Sequence, residues 1–493
     1  MLAVPPIPAS AQAAPDAIDW QRCSQAPGEP APTGKVECAT IKVPLDWSDP
    51  GGRTIEIGLA RRKATKPDAR IGSILLDPGG PGGSGVAEVK RKQTPFTEAV
   101  SERFDVIGVD PRGVNTSTQI KCDGKLLEQA SAAQAAATGS AAGFEALKQA
   151  NAKLSQNCRE LTGPLYDHVD SRQIARDIEA IRIALGESKI TQVGYSYGTL
   201  AAQHYAEMFP KRVRATVTDG NMDHSIRSFW DFLDAQTAAI ENNFVQWADW
   251  CDKTSDCALH HSDARKVYGE LRERAKKGEL THPSTGDKVD FARLTGLAQR
   301  VNLPEYWKDL AVTLKHLHEG TKPDERPAPG PRPAPEVANY PRQATFCQDW
   351  DFRVSDYAEL KRGIARLTNR YPNINWNPNA TAAALDCVGY RGRTTNPQAR
   401  LKVKGAAPLL MVGNINDYAT AYTWTRNAAR QSQARLLTYE GFGHTVFPST
   451  IAFGPSACVN AAVDAYLIQL KVPAQGLSCP AIEVPGEGQK PTP

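Results

Sequence analysis

Gly194-Tyr195-Ser196-Tyr197-Gly198 has the form G-x-S-x-G. Residues 189–193 before it read as a short buried strand, and residues 199–208 after it as a helix. A serine in so tight a strand-to-helix turn sits in strained backbone, with its hydroxyl held out above the sheet. The flanking glycines leave space where a side chain would collide with strand or helix. The backbone N–H of Tyr197 then points at whatever Ser196 attacks, from the positive end of the helix. The chemistry this predicts is nucleophilic acyl transfer. The plain alternative is a glycine-rich turn carrying a solvated serine.

A serine hydroxyl at its free pKa is a poor nucleophile and needs a neighbouring base, itself oriented by a carboxylate. On a sheet of this kind the chain order is Ser, then Asp or Glu, then His. Asp417 lies just past an apolar run ending at Gly413. His444 lies in the glycine-lined turn Glu440-Gly441-Phe442-Gly443-His444 after the next such run, and of nine histidines it is the one placed this way. Asp110 and Asp219 also end strand-like runs, but they come before Ser196 or too soon after it, and read as ordinary turn acids.

A second oxyanion donor, Gly80, is expected from Asp77-Pro78-Gly79-Gly80-Pro81-Gly82-Gly83-Ser84-Gly85, where glycines let backbone amides approach a substrate oxygen. The same residues spell G-x-G-x-x-G, with Asp105 or Asp110 as an acid about 20 residues on, which is the pattern of a dinucleotide site. Pro81 removes an amide from the centre of that loop, and a serine turn shares the sheet, so no cofactor is expected. There is no Gly-Lys-Ser/Thr either. A peptide's N-terminal ammonium in a partly dry pocket wants a carboxylate partner. Asp349, in Phe346-Cys347-Gln348-Asp349-Trp350, is the candidate; the alternative is an acid in a disulfide-braced turn.

These groups need a scaffold. Residues 36–44 and 54–60 alternate around Trp47-Ser48-Asp49-Pro50-Gly51-Gly52 and predict a hairpin. Short apolar runs at 72–77 and 104–110 predict strands buried on both faces. Residues 123–160 are rich in Ala, Gln, Lys and Glu and read as helix. Residues 171–185 put Ile174, Ile178, Ile181 and Leu185 on one helical face, ended by Gly186. With the strands at 189–193 and 213–220, this alternation means an α/β fold with a mostly parallel sheet. From 221 to 403 the chain turns helical, interrupted by the proline-dense tract 322–335. Strand-like runs resume at 408–413 and 434–439, and a helix is expected at 461–467. The expected organisation is a leader at 1–15, a sheet core at 16–220 and 404–480, a helical cap inserted at 221–403, and a flexible tail at 481–493.

For 493 residues, two packed units or one large domain with an insertion is the natural size. The 58 basic and 54 acidic residues are interspersed and leave a net charge of +4, which argues against nucleic acid. No stretch approaches the ~20 apolar residues that span a bilayer. The ten cysteines are Cys23, Cys38, Cys122, Cys158, Cys251, Cys257, Cys347, Cys387, Cys458 and Cys479. None forms C-x-x-C, which argues against zinc, and no metal is expected. An even number spread singly suits disulfides in an oxidising compartment. Their connectivity stays open, with neighbour-to-neighbour pairing as the expectation. The opening MLAVPPIPASAQAA holds two small-x-small sites of the kind signal peptidase cuts and reads as a signal-peptide remnant. A secreted monomer is expected.

Taken as a set, Asp77 to Gly85, Asp110-Pro111-Arg112-Gly113, Gly194 to Gly198 and Gly441-Phe442-Gly443-His444 resemble the proline-iminopeptidase branch of the α/β-hydrolases, and within it the secreted bacterial tripeptidyl aminopeptidases. The resemblance runs from about residue 20 to residue 479. It implies the α/β-hydrolase fold with a helical cap. It implies Ser196 as nucleophile, Asp417 as orienter, His444 as base, and Gly80 and Tyr197 as oxyanion donors. It also implies an exopeptidase acting on free N-termini; an esterase, amidase or lactonase acting on small molecules could use the same triad, and a silent binding protein could keep the same scaffold. The chain departs from the family's usual residues at Asp77, where Asn is common, after Asp417, where prolines are common, and at Tyr390-Arg391, where Trp-Pro is common.

Overall fold

The β-branched and aliphatic runs of the sequence assemble into one ten-stranded sheet. In this computed structural model, which describes residues 18–24, 35–91, 93–322, 335–449 and 454–482, the strands are β1 (Gln21–Arg22), β2 (Val36–Pro44), β3 (Thr54–Arg62), β4 (Gly72–Asp77), β5 (Phe104–Val109), β6 (Lys121–Asp123), β7 (Ile190–Tyr195), β8 (Val213–Asp219), β9 (Val337–Asn339), β10 (Leu410–Asn416), β11 (Arg435–Phe442) and β12 (Leu477–Cys479). The main sheet runs β1-β2-β3-β5-β4-β7-β8-β10-β11-β12. From β5 to β12 every neighbouring pair is parallel, and β1, β2 and β3 add an antiparallel edge. Apolar side chains pack on both faces of the sheet in two separate clusters, which is why β5 is buried along its whole length.

Helices cover both faces. Residues 123–160 form two helices, Gly124–Ala136 and Ala141–Thr162, where composition alone suggested one. The break comes at Ser140, whose hydroxyl accepts from the N–H of Gly143 and starts the second helix. After β8 comes the long helix Phe229–Lys253, followed by a succession of helices down to Pro378–Leu385. These build an apolar cluster of their own around Phe244, Trp247, Tyr268 and Leu310. The sequence patterns did not disclose the two-stranded antiparallel ladder of β6 with β9, which ties this helical stretch back to the chain before Ser196.

The ten cysteines form five disulfides, each joining neighbours along the chain: Cys23–Cys38, Cys122–Cys158, Cys251–Cys257, Cys347–Cys387 and Cys458–Cys479. A buried ion pair supplies another brace. Arg112 donates to both oxygens of Asp177, at 2.7 and 2.6 Å, and spends its remaining N–H groups on the carbonyls of Pro44, Leu45 and His168. The leader at 1–15, all of the proline-dense tract but its two end residues, and the tail from 483 lie outside the described residues.

Candidate active site

The sheet order changes direction between β4 and β7, since β4 is followed by β5 on one side while β7 lies on the other. Loops leaving the carboxyl ends of such strands diverge and open a crevice. The glycine-rich loop after β4, Ser196 after β7, Asp219 and Gly220 at the end of β8, Asp417 after β10 and His444 after β11 all sit at that edge.

Ser196 adopts φ +53°, left-handed backbone for a residue with a Cβ. Surrounding contacts hold it there. Its N–H donates to the carbonyl of Asp219 at 2.9 Å. Its own carbonyl accepts from the hydroxyl of Thr199 at 2.6 Å. Helix Gly198–Met208 starts immediately after, so the Tyr197 N–H stands at its positive end. The loop after β4 packs directly onto this turn. A Cβ on Gly79 would lie 2.4 Å from the Tyr195 carbonyl oxygen and 2.7 Å from the Tyr197 nitrogen, so no other residue fits at that point. The loop is closed by the Gly83 N–H on the Gly79 carbonyl at 2.7 Å, and the Gly79 N–H donates to Asp77 at 3.0 Å. Neither the Gly80 N–H nor the Tyr197 N–H meets an acceptor among the described residues.

On the opposite flank, Nδ1 of His444 donates to both oxygens of Asp417, each at 3.0 Å. Asp417 is buried, and its side chain is oriented by the N–H groups of Ala419 and Thr420 and by the Thr420 hydroxyl, all at 2.9 Å. With Nδ1 so engaged, Nε2 is the ring nitrogen left for proton transfer. Burial draws the His444 pKa down, but the charge and hydrogen bond of Asp417, helped by Asp219, push it further up, and the net direction is above the ordinary histidine value.

The two flanks meet at Gly220. A Cβ there would come within 3.1 Å of Cε1 of His444 and 2.9 Å of the Thr420 hydroxyl, while the residue before it, Asp219, anchors Ser196. Several residues that hold this arrangement were not singled out from the sequence. Asn414 donates to the Gly443 carbonyl at 2.9 Å, and Asn416 to the Gly441 carbonyl at 2.9 Å. Asn242, Asn243 and Gln246 of helix Phe229–Lys253 in turn donate to Asn416, at 3.0, 3.0 and 2.8 Å. An asparagine three before, and another just before, a candidate acid at a strand end was the available signal.

Asp349 is not where a substrate ammonium could use it. It is fully buried, and its oxygens already accept from the Ser171 N–H at 2.9 Å, the Ser171 hydroxyl at 2.6 Å, Asn396 at 2.7 Å and the Tyr197 hydroxyl at 2.8 Å. Burial, then the nearby Asp170, pushes its carboxyl up to about 6. Its role is to brace Tyr197 from beneath. Asp110 is likewise structural: it accepts from Ser84, Val86 and Thr116 and fixes the start of the helix after the glycine loop. Among the described residues no group of three or more His, Cys, Asp or Glu could hold a metal ion.

Residues 72–273 match the family model described as alpha/beta hydrolase fold, and residues 372–479 match the one described as TAP-like protein. The chain is 29% identical to a tripeptidyl aminopeptidase of Streptomyces lividans, over 96% of this chain and 88% of that protein. It is 28% identical to serine protease Hip1 of Mycobacterium tuberculosis (strain ATCC 25618 / H37Rv), over 94% of this chain and 91% of the other. Carboxylesterase B of Mycobacterium tuberculosis (strain CDC 1551 / Oshkosh) is also 28% identical, over 93% and 89%. By its sheet, by the strained serine turn at the sheet's edge and by the match of residues 72–273, the chain has the α/β-hydrolase fold, and over nearly its whole length it is similar to tripeptidyl aminopeptidases.

Proposed function

We propose that this protein is a secreted serine exopeptidase that releases short peptides, tripeptides foremost, from free N-termini. Ser196 Oγ attacks the scissile carbonyl while Nε2 of His444 takes its proton. The N–H groups of Gly80 and Tyr197 receive the oxyanion. His444 then protonates the leaving amine, and water attacks the acyl-enzyme by the same route in reverse. Asp417 keeps the imidazole in the tautomer that can do this. The observation that carries the reading is the meeting at Gly220 of a histidine bonded to a buried aspartate with the anchor of a strained serine. The whole-length likeness to tripeptidyl aminopeptidases supports the substrate class. The five disulfides support an oxidising, extracellular destination, and no described helix is long and apolar enough to cross a membrane.

A free amine needs an anionic partner, and Asp349 is taken. Glu305, exposed in the turn Pro304–Tyr306, has no ion pair among the described residues; partial desolvation pushes its carboxyl up, and its charge reaches Tyr418, whose ring lies 6.0 Å from that of His444. The carboxylesterase relative favours a second reading, ester hydrolysis on small molecules with the same triad. Hydrolysis of a tripeptide amide, free and N-acetylated, separates the two. The exopeptidase reading expects acetylation to remove most of the kcat/KM, and Glu305→Gln to raise KM for the free peptide only. Indifference to acetylation, with faster turnover of esters, gives the second reading. The base must be neutral to act, so activity should rise with pH through a midpoint above the ordinary histidine value of 6.5.

A further inference from the structure

Asp219 ends β8 and pairs in register with Tyr195 at the end of β7. It is fully buried, and two loops of the site end on it. Its carbonyl accepts the Ser196 N–H at 2.9 Å. Its Oδ2 accepts the N–H groups of Val446 at 2.7 Å and Phe447 at 2.8 Å, just beyond His444. Thr445, between them and His444, sits at φ +62°, so the loop is held in a conformation it would not choose alone. Oδ1 has no partner among the described residues, and neither has the Tyr195 hydroxyl. A half-satisfied carboxylate in a dry place is costly to keep, and groups retained under those conditions concentrate at working sites.

We propose that Asp219 is a positioning residue of this site: its main chain fixes the serine turn, and its carboxylate fixes the loop that carries the imidazole. This rests on the Ser196–His444 reading above. The titratable groups facing the carboxylate are Tyr195 from β7, Asp417 from the loop after β10 and His444 from the loop after β11. His444 itself faces Asp417, Asp219 and the ring of Tyr418, and Glu88 reaches Tyr195. Burial pushes the Asp219 carboxyl up to about 7, opposed by the Phe447 and Val446 N–H groups; Asp417 adds to the rise and His444 reduces it. The carboxyl and the imidazole are thus electrostatically coupled, and removing the carboxyl should lower the His444 pKa.

The test is Asp219→Asn, nearly isosteric and uncharged, assayed over pH with active sites counted by a fluorophosphonate probe. The expected result is KM within about twofold, kcat per labelled site down about tenfold, and the acid limb of kcat/KM moved to lower pH by about half a unit. A role confined to folding would lower the labelled fraction and leave the limb and the kcat per site alone, and that result overturns the proposal. If Asp219→Asn does not fold, Asp219→Glu replaces it. With the charge kept and displaced by a methylene, kcat should fall about tenfold with the limb near its wild-type position, whereas wild-type kcat overturns the proposal. Failure of the underlying reading looks different, because the wild-type enzyme would then not label at Ser196 at all.

Discussion

Around Ser196 the chain keeps its shape mainly with its own main chain, whereas around His444 it depends on side chains reaching across strands. The serine turn is held by its N–H on the Asp219 carbonyl, by a helix beginning at once, and by the Gly79 backbone pressed against it. The histidine loop is held by carboxamides and a carboxylate: Asn414 on Gly443, Asn416 on Gly441, Asp219 on Val446 and Phe447. A nucleophile has to be strained and exposed within a few ångströms of the oxyanion donors, and closely packed main chain suffices for that. A base has to be brought from a distant part of the chain, and only long-range tethers can do it.

The comparison can be broken or sharpened by substitution. Ser196→Ala removes the attacking atom without touching any tether. Hydrolysis should fall by about 10⁶-fold while thermal stability stays within about 1 kcal/mol of wild type, read by steady-state kinetics and calorimetry. Residual turnover near wild type would mean that the strained turn is not where the chemistry happens. Asp417→Asn keeps the shape of the base side but favours the wrong imidazole tautomer; kcat should fall by about 10⁴-fold with KM little changed. Asn414→Ala touches no reacting group. It strands the Gly443 carbonyl and the Asn416 N–H, which should lower stability by about 1–3 kcal/mol and slow turnover by about tenfold through a displaced loop. An Asn414→Ala enzyme as fast as wild type would show that the histidine loop stands by itself, and the contrast between the two flanks would fail.

The same contrast explains what could be read in advance. The order of strand and helix in the core, the turn at Ser196 and the positions of Asp417 and His444 were legible because each leaves a local pattern: an apolar run, a pentapeptide, a glycine-lined loop after a strand. The chain-order disulfides were within reach for a similar reason, since each closes a short loop. What local pattern hides is partnership. Nothing near Asp349 announces that Ser171, Asn396 and Tyr197 will occupy its oxygens, so it looked available to a substrate. Asp219 looked like a turn acid because its partners lie more than two hundred residues further on. The β6–β9 ladder escaped for the same reason: its two three-residue strands are far apart in the chain, with β7, β8 and many helices between them.

Helix Phe229–Lys253 grips Asn416 through three of its carboxamides, and Asn416 adjoins the acid that steers the imidazole. An engineer who remodels this helix would therefore be handling the support of the imidazole as well as the helix itself. Replacing Asn242, Asn243 or Gln246 should slow turnover, though none of the three bonds to Asp417 or His444.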